Sequence, residues 1–136
     1  MEIELARDFA RQHHRDVLTT YHPDGRAQLS PVTTAVDEAG HLVVSTRETA
    51  VKTHNIARDP RVALCVFTDA FFGQWIVVEG EATIVHLPAA MEPLVAYYRS
   101  VAGEHPDWAD YRAAMLRDQR VILQITITRA GPDRHG

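Results

Sequence analysis

Residues 42–60, LVVSTRETAVKTHNIARDP, have the pattern of a strand, a polar junction and a short helix in direct succession. The run 42–44 is apolar and mostly β-branched, which is typical of a buried strand. The spacing of residues from 49 to 58 predicts a helix over that range, and Pro60 prevents its continuation. The stretch therefore predicts a buried strand that leads directly into a helix.

The junction between that strand and that helix has the features of a weak anion site. Thr49 is the predicted N-cap, because its hydroxyl can accept a hydrogen bond from a free amide of the first turn. Those amides and the positive end of the helix dipole favour an anion, and Lys52 can point back toward them. Ser45, Thr46 and Arg47 approach from the strand. An ordinary capped helix with a solvated lysine and arginine explains the same residues, so both interpretations stay open.

The composition indicates one globular domain, residues 1–136. The 136 residues are 46% hydrophobic and 24% charged, which is typical of a globular protein. The net charge of −4 argues against a nucleic-acid partner. The single cysteine, Cys65, cannot form an intrachain disulfide and suits a reducing compartment. No apolar run approaches the ~18–20 residues that span a bilayer, and no signal-peptide core is visible, so we expect a cytoplasmic protein.

The order of the predicted elements indicates an α+β fold with about six strands and four helices. Pro31 cannot donate to a strand ladder and predicts an edge or a bulge, and Gly80 predicts a kink or bulge. The strand at 61–67 is predicted to be buried on both faces, and the tail 129–136 is expected to be mobile. Short connections between strands favour a small antiparallel barrel with helices packed on it. The predicted helices are 3–14, 49–58 and two between 87 and 117, and the predicted strands are 17–21, 27–36, 42–46, 61–67, 74–85 and 121–128.

No motif in the sequence supplies catalytic or metal chemistry by itself. The patterns H-E-x-x-H, C-x-x-C, G-x-S-x-G and G-x-G-x-x-G are all missing from the sequence. The eight histidines are scattered, mostly in turns and at the ends of elements, which disfavours a metal site. Trp75 fits a core anchor and a ring-stacking wall equally well. We predict no metal and no catalytic side chain, so any reaction would depend on a bound cofactor.

Several segments, weak singly, are specific in their order and spacing. They are DGRAQLSPV at 24–32, STRET at 45–49 with Lys52-Thr53 and Asn55, RDPRV at 58–62, Trp75 with Glu79-Gly80, YYR at 97–99, and GEHPDW at 103–108 with DYR at 110–112. Together they resemble the pyridoxamine-phosphate-oxidase-like split β-barrels over nearly the whole chain. Among these, the chain is most similar to the flavin/deazaflavin oxidoreductases of actinobacteria that use coenzyme F-420.

The resemblance implies a six-stranded FMN-binding split barrel that forms a homodimer with cofactor sites at the interface. It implies that Lys52 is the principal cation of a phosphate site, that the segment 28–31 lines the deazaflavin ring, and that Trp75 approaches from the partner subunit. Relatives often carry an arginine two residues before the lysine, where this chain has Ala50, and Arg47 is the candidate to supply that charge. The expected cofactor-binding residues are Gln28, Ser30, Pro31, Ser45, Thr46, Arg47, Thr49, Lys52, Thr53 and Trp75.

The implied activity is hydride transfer between C5 of reduced F-420 and a small unsaturated organic substrate. Such a reaction requires ring and substrate at roughly 3–3.5 Å and needs no nucleophilic side chain. The loop 69–73 and the helices between 87 and 117 are expected to shape the substrate pocket. The alternatives are an FMN-dependent oxidoreductase of the same fold, a non-catalytic protein that holds a flavin, F-420 or haem, and a dimeric barrel without a small-molecule ligand.

Overall fold

The computed structural model describes residues 1–135, which form an α+β protein with four helices. The described strands number seven, so the prediction of six was wrong. In chain order the elements are α1 (Ile3–Gln12), β1 (Arg15–Tyr21), β2 (Ala27–Thr33), β3 (Ala35–Val36), β4 (Leu42–Arg47), α2 (Val51–Arg58), β5 (Arg61–Phe67), β6 (Gln74–Val85), α3 (Met91–Ala102), α4 (Trp108–Arg117) and β7 (Arg120–His135).

The additional strand arises because the predicted strand 27–36 is interrupted at Thr34. Its first part, β2, pairs with β1, whereas its last two residues, β3, pair with β4. Thr34 is buried between the two parts; its amide donates to the His14 carbonyl at 3.1 Å and its hydroxyl donates to Asp16 Oδ1 at 2.8 Å. The chain therefore stops pairing with β1 and begins pairing with β4 at Thr34. The alternation of apolar and polar residues in the sequence does not indicate this change of partner strand.

The seven strands form one antiparallel sheet in the order β2-β1-β5-β6-β7-β4-β3. Because β2 and β3 lie at opposite ends of this order and only Thr34 separates them in the chain, the sheet must curl until its two edges approach each other. The long strand β6 has register irregularities between Ile76 and Val78 and between Glu79 and Gly80. A Cβ at Gly80 would lie 2.3 Å from the Thr126 carbonyl oxygen, so this irregularity requires a glycine and confirms the predicted bulge.

Two apolar cores hold the sheet and the helices together. The inner core lies within the curl and is closed by α1 and by Ile56 of α2. The second core lies between the outer face of β3, β4 and β7 and the helices α3 and α4. The inner core includes Leu18, Leu42, Val44, Leu64, Val78, Leu123 and Ile125, and the second includes Val43, Leu94, Val95, Tyr111 and Ile122.

The outer face of β5 is not covered, so the prediction that this strand is buried on both faces was wrong. Val62, Leu64 and Val66 are buried in the inner core, while Cys65 is only partly buried. Helices α3 and α4 pack on β3, β4 and β7 and leave the outer side of β1, β5 and β6 open. Such alternation of buried and partly exposed residues is typical of an antiparallel strand with one face on the core.

Several element boundaries differ from the predictions. Helix α1 ends at Gln12, with His13 as its extended C-cap, and β7 continues to His135 instead of ending at residue 128. The predicted mobility of the tail 129–136 stays a prediction, and Gly136 lies outside the described residues. Pro31 lies in the edge strand β2, as predicted. None of the helices described has the length and apolar character needed to cross a membrane.

Candidate functional site

Two strand edges near each other lack a ladder partner in the described sheet and define a slot. Strand β2 pairs only with β1, and β4 beyond Val43 pairs only with β7. At one end the Tyr97 hydroxyl of α3 donates to the Thr33 carbonyl of β2 at 2.7 Å and lies against the backbone of Ser45 in β4. At the other end Lys52 Nζ donates to Ser30 Oγ at 3.2 Å. We call this space, between residues 28–33 and 44–47, the β2–β4 slot.

Lys52 is a positive charge without an acidic neighbour. It is the only lysine of the chain, it is partly buried, and its side chain bonds to the neutral hydroxyl of Ser30. Burial lowers the pKa of Lys52, and the charge of Arg120 lowers it further. The ion pairs of the described chain do not include Lys52. A desolvated cation without a counter-charge is stabilised when an anion binds beside it.

Thr49 is not the N-cap of α2, so that prediction was wrong. The helix begins at Val51, its N-cap is Ala50 with an extended ψ of 149°, and no side chain caps it. The buried Thr53 instead donates its hydroxyl to the Arg47 carbonyl at 2.6 Å and fastens the helix to the end of β4. In the described structure the amides of Val51 and Lys52 have no backbone acceptor, so two donors remain at the start of α2.

The structure brings some of the remaining expected residues to the slot and leaves others away from it. Gln28, at the start of β2, accepts a hydrogen bond from the Thr20 hydroxyl at 3.0 Å. Thr46 is buried, and Arg47 is exposed at the end of β4. Trp75 is the second residue of β6, opposite Phe67, and β6 lies three strands from β2 in the sheet order. Trp75 is therefore not part of the slot of its own chain.

Two residues of the slot were not among the expected ones, Tyr97 and Arg120. Burial raises the pKa of the Tyr97 phenol above its ordinary value, and a hydrogen bond with the Ser45 backbone and the charge of Arg120 each oppose that rise. Arg120 opens β7, pairs across the ladder with Arg47, and has a buried Nε without a hydrogen-bond partner in the described structure. No local sequence pattern places either residue at the slot. Arg120 reaches it through the pairing of β4 with β7, and Tyr97 reaches it through the hydrogen bond of α3 to β2.

Two surface cavities adjoin the elements that were expected to shape a pocket. One of about 660 Å³ is lined by His14, Thr33 and Asp69 among others, and so lies between the end of β2 and the loop 69–73. The second, of about 720 Å³, lies between α3 and the β3–β4 turn and includes Tyr97. Neither cavity includes Lys52. Space for a small molecule therefore lies at the Thr33–Tyr97 end of the slot, away from the cationic end.

Comparison with solved structures shows the same fold in proteins of different kinds. A conserved hypothetical protein of Mycobacterium tuberculosis is 26% identical, with a TM-score of 0.77 over 96% of this chain and 82% of that chain. An F420 reductase is 21% identical, with a TM-score of 0.72 over 92% of this chain and 94% of that one. A haem-storage protein of Vibrio cholerae is 14% identical, with a TM-score of 0.74 over 100% of this chain and 98% of that one. A family model, described as pyridoxamine 5'-phosphate oxidase, matches residues 3–131, and the chain therefore belongs to this family.

Proposed function

We propose that the protein is an oxidoreductase that binds coenzyme F-420 in the β2–β4 slot and acts on a small unsaturated organic substrate. The observation that carries the proposal is the Lys52–Ser30 contact at 3.2 Å. This hydrogen bond brings Lys52, a cation without a counter-charge at the start of α2, against the segment 28–31 of the edge strand β2. The family membership and the likeness to an F420 reductase support the redox class.

The slot offers separate groups for the two ends of such a cofactor. Lys52 and the free amides at the start of α2 suit a phosphate. The unpaired edge of β2 offers backbone groups to the polar edge of a flat ring, except at Pro31, which has no N–H. When bound, the deazaflavin supplies the hydride chemistry. The chain binds and orients it, and keeps the phosphate end and the ring end apart.

The substrate would bind at the Thr33–Tyr97 end of the slot. The first cavity is lined by Thr33 together with His14 and Asp69, and the neighbouring Phe71 and Phe72 are 80% and 75% exposed. The cavity itself is lined mostly by polar side chains, and the exposed phenylalanine rings that follow it in the loop offer a surface on which a conjugated organic molecule can stack. This placement accounts for a cavity that does not include the phosphate-binding groups.

We also propose that the protein works as a homodimer in which a partner covers the open outer face. Across β2, β1, β5 and β6 the register aligns Pro31, Val17, Cys65 and Val77 in one row, which we call the outer apolar row. None of these side chains is counted in either core. The row begins at Pro31, next to Ser30, so a partner bound along it would also reach the slot. Trp75, in β6 beside this row, would then approach the partner's cofactor.

An FMN-dependent reaction on the same slot is the nearest alternative, because FMN also ends in a phosphate. A protein that holds haem without turnover is the second, and the fold shared with a haem-storage protein favours testing it. The single Cys65 is compatible with the reducing cytoplasm, which we propose as the location.

Turnover is tested with chemically reduced F-420, to which quinones and conjugated ketones are added one at a time. We expect the absorbance of oxidised F-420 to return faster with the protein than without it, and faster with the natural protein than with Lys52→Ala. Tight binding of F-420 without acceleration for any acceptor would identify a carrier instead of an enzyme.

A further inference from the structure

A second cation, Arg120, lies at the start of β7, near the junction of β4 with α2. Arg120 pairs with Arg47 in the β4–β7 ladder, and the Arg47 carbonyl accepts the hydrogen bond of Thr53, the residue after Lys52. The charge of Arg120 lowers the pKa of Lys52 and opposes the rise in the pKa of Tyr97. Arg120 Nε is buried and has no hydrogen-bond partner within the described residues. Two cations without a carboxylate partner in the described structure therefore lie near the cationic end of the slot, Lys52 of α2 and Arg120 of β7.

This arrangement is unfavourable in the unliganded protein. None of the ion pairs in the described structure involves Lys52, Arg47 or Arg120, so no carboxylate offsets the charges. A buried donor without an acceptor and a pair of like charges both oppose folding. Buried polar groups in native proteins are nearly always satisfied, so the Arg120 donor needs a partner from outside the described chain, an ordered water or a bound anion.

We propose that Arg120 is the second cation of the phosphate site and that its guanidinium, together with Lys52 and the free amides at the start of α2, binds the phosphate of the cofactor. The identification of the ligand rests on the function proposed above, whereas the anion site itself rests on Arg120 and Lys52. A guanidinium presents planar donors that match two oxygens of one phosphate. Arg120 thus supplies the charge that relatives often carry at the position of Ala50, for which Arg47 was the candidate from the sequence.

The position of Arg47 makes it a weaker candidate and a matched control. Its side chain is exposed at the end of β4, where water and salt screen its charge. Arg120 is its partner across the ladder but is partly buried, and its charge acts in a less polar environment. The two arginines therefore differ in burial while they share residue type and ladder position.

Arg120→Met keeps most of the side-chain stem and removes the charge and every donor, and Arg47→Met does the same at the exposed position. Without ligand, we expect Arg120→Met to unfold at the same temperature as the natural protein or at a higher one, because it removes an orphaned donor. In calorimetric titrations with F-420 and with FMN, we expect Arg120→Met to weaken binding about tenfold or more. Arg47→Met should stay within about a factor of two. Opposite effects on unfolding and on binding are not expected of a residue that only supports the fold.

The phosphate could belong to the cofactor or to a phosphorylated substrate, and inorganic phosphate separates the two. If neither F-420 nor FMN binds the natural protein, the proposed function fails. The anion site is still supported if inorganic phosphate then raises the unfolding temperature of the natural protein and of Arg47→Met but not of Arg120→Met. If F-420 and FMN bind all variants equally while phosphate protection is lost in Arg120→Met, the site serves a phosphorylated substrate and the assignment to the cofactor is overturned.

Unchanged affinity of folded Arg120→Met for F-420, FMN and inorganic phosphate would overturn the proposal entirely. If Arg120→Met does not fold, Arg120→Lys keeps the charge and removes the planar donors. A loss of about threefold or more in Arg120→Lys supports the site, and an unchanged dissociation constant contradicts it.

Discussion

The Lys52 ammonium lies 3.2 Å from Ser30 Oγ, although the two residues belong to different elements, α2 and β2. This contact joins the start of a helix to the edge of the curled sheet, and so joins the phosphate end of the slot to its ring end. The junction at 45–52 and the segment 28–31 are therefore parts of one site.

The charge on Lys52 should make cofactor binding sensitive to alkaline pH. Burial and the charge of Arg120 lower the pKa of this amine below its ordinary value of 10.5, so it loses its proton at a lower pH than an exposed lysine. Affinity for a phosphate-bearing cofactor should fall as the pH rises through that lowered pKa. Titrations at increasing pH check this, with Lys52→Arg as the control, because arginine stays charged over the range. The same fall in both proteins would assign the effect to another group.

Thr53 should contribute more to stability than Thr49, although the sequence indicates Thr49 as the cap. The Thr53 hydroxyl is buried and donates to the Arg47 carbonyl at 2.6 Å, whereas Thr49 makes no cap in the structure. We expect Thr53→Val to lower the free energy of unfolding by about 1–2 kcal/mol and Thr49→Val to change it by less than about 0.5 kcal/mol. Denaturant unfolding of both variants measures the difference. A larger loss in Thr49→Val would restore the capping role.

Asp16 should make the protein less stable as the pH rises toward neutrality. The carboxyl is 1% exposed, its Oδ2 has no partner in the described structure, and burial raises its pKa from 3.8 to about 7 while the Thr34 hydrogen bond opposes the rise. Between these values the unfolded chain releases the proton and the folded protein keeps it, so stability falls with pH and then levels off above about pH 7. The full effect is roughly 4 kcal/mol.

Asp16→Asn keeps the shape and removes the ionisation, so it should flatten this dependence and be the more stable protein at about pH 8. Thermal unfolding from about pH 5 to pH 8 compares the two. An equally steep pH dependence in Asp16→Asn would show that other groups cause it.

The outer apolar row should be the dimer interface. Val77 is the β6 member of that row and pairs with Cys65, so Val77→Asp places a charge in the proposed contact without touching either core. We expect the natural protein to sediment as a dimer at micromolar concentration and Val77→Asp as a folded monomer. Thr83→Asp, an exposed position of the same strand, serves as the control and should stay dimeric. Sedimentation of the natural protein as a monomer would contradict the proposed dimer.

Most of the fold was predictable from local patterns, and the errors have physical causes. The strands predicted at 42–46 and 61–67 and the bulge at Gly80 are all marked by residue types that act locally. The division at Thr34 is not, because it depends on tertiary hydrogen bonds to His14 and Asp16. The uncovered face of β5 is likewise invisible in its apolar sequence, since that sequence does not show which side the helices cover.

The candidate site was predictable only where its residues are neighbours in the chain. The junction 45–53 was identified as a possible anion site, although the side chain that bonds the start of α2 to the end of β4 is Thr53 and not Thr49. Arg120 and Tyr97 reach the slot through the pairing of β4 with β7 and the packing of α3. Long-range placement of this kind has no local periodicity or motif, so sequence patterns alone do not reveal it.

The most direct test of the central claim is a titration of the natural protein and of Lys52→Ala with F-420 and with FMN, followed by tryptophan and cofactor fluorescence. We predict saturable binding of F-420, weaker binding of FMN, and a loss of at least about tenfold in affinity, or about 1.4 kcal/mol, in Lys52→Ala. Binding of neither cofactor, or an identical dissociation constant in Lys52→Ala, would contradict the account.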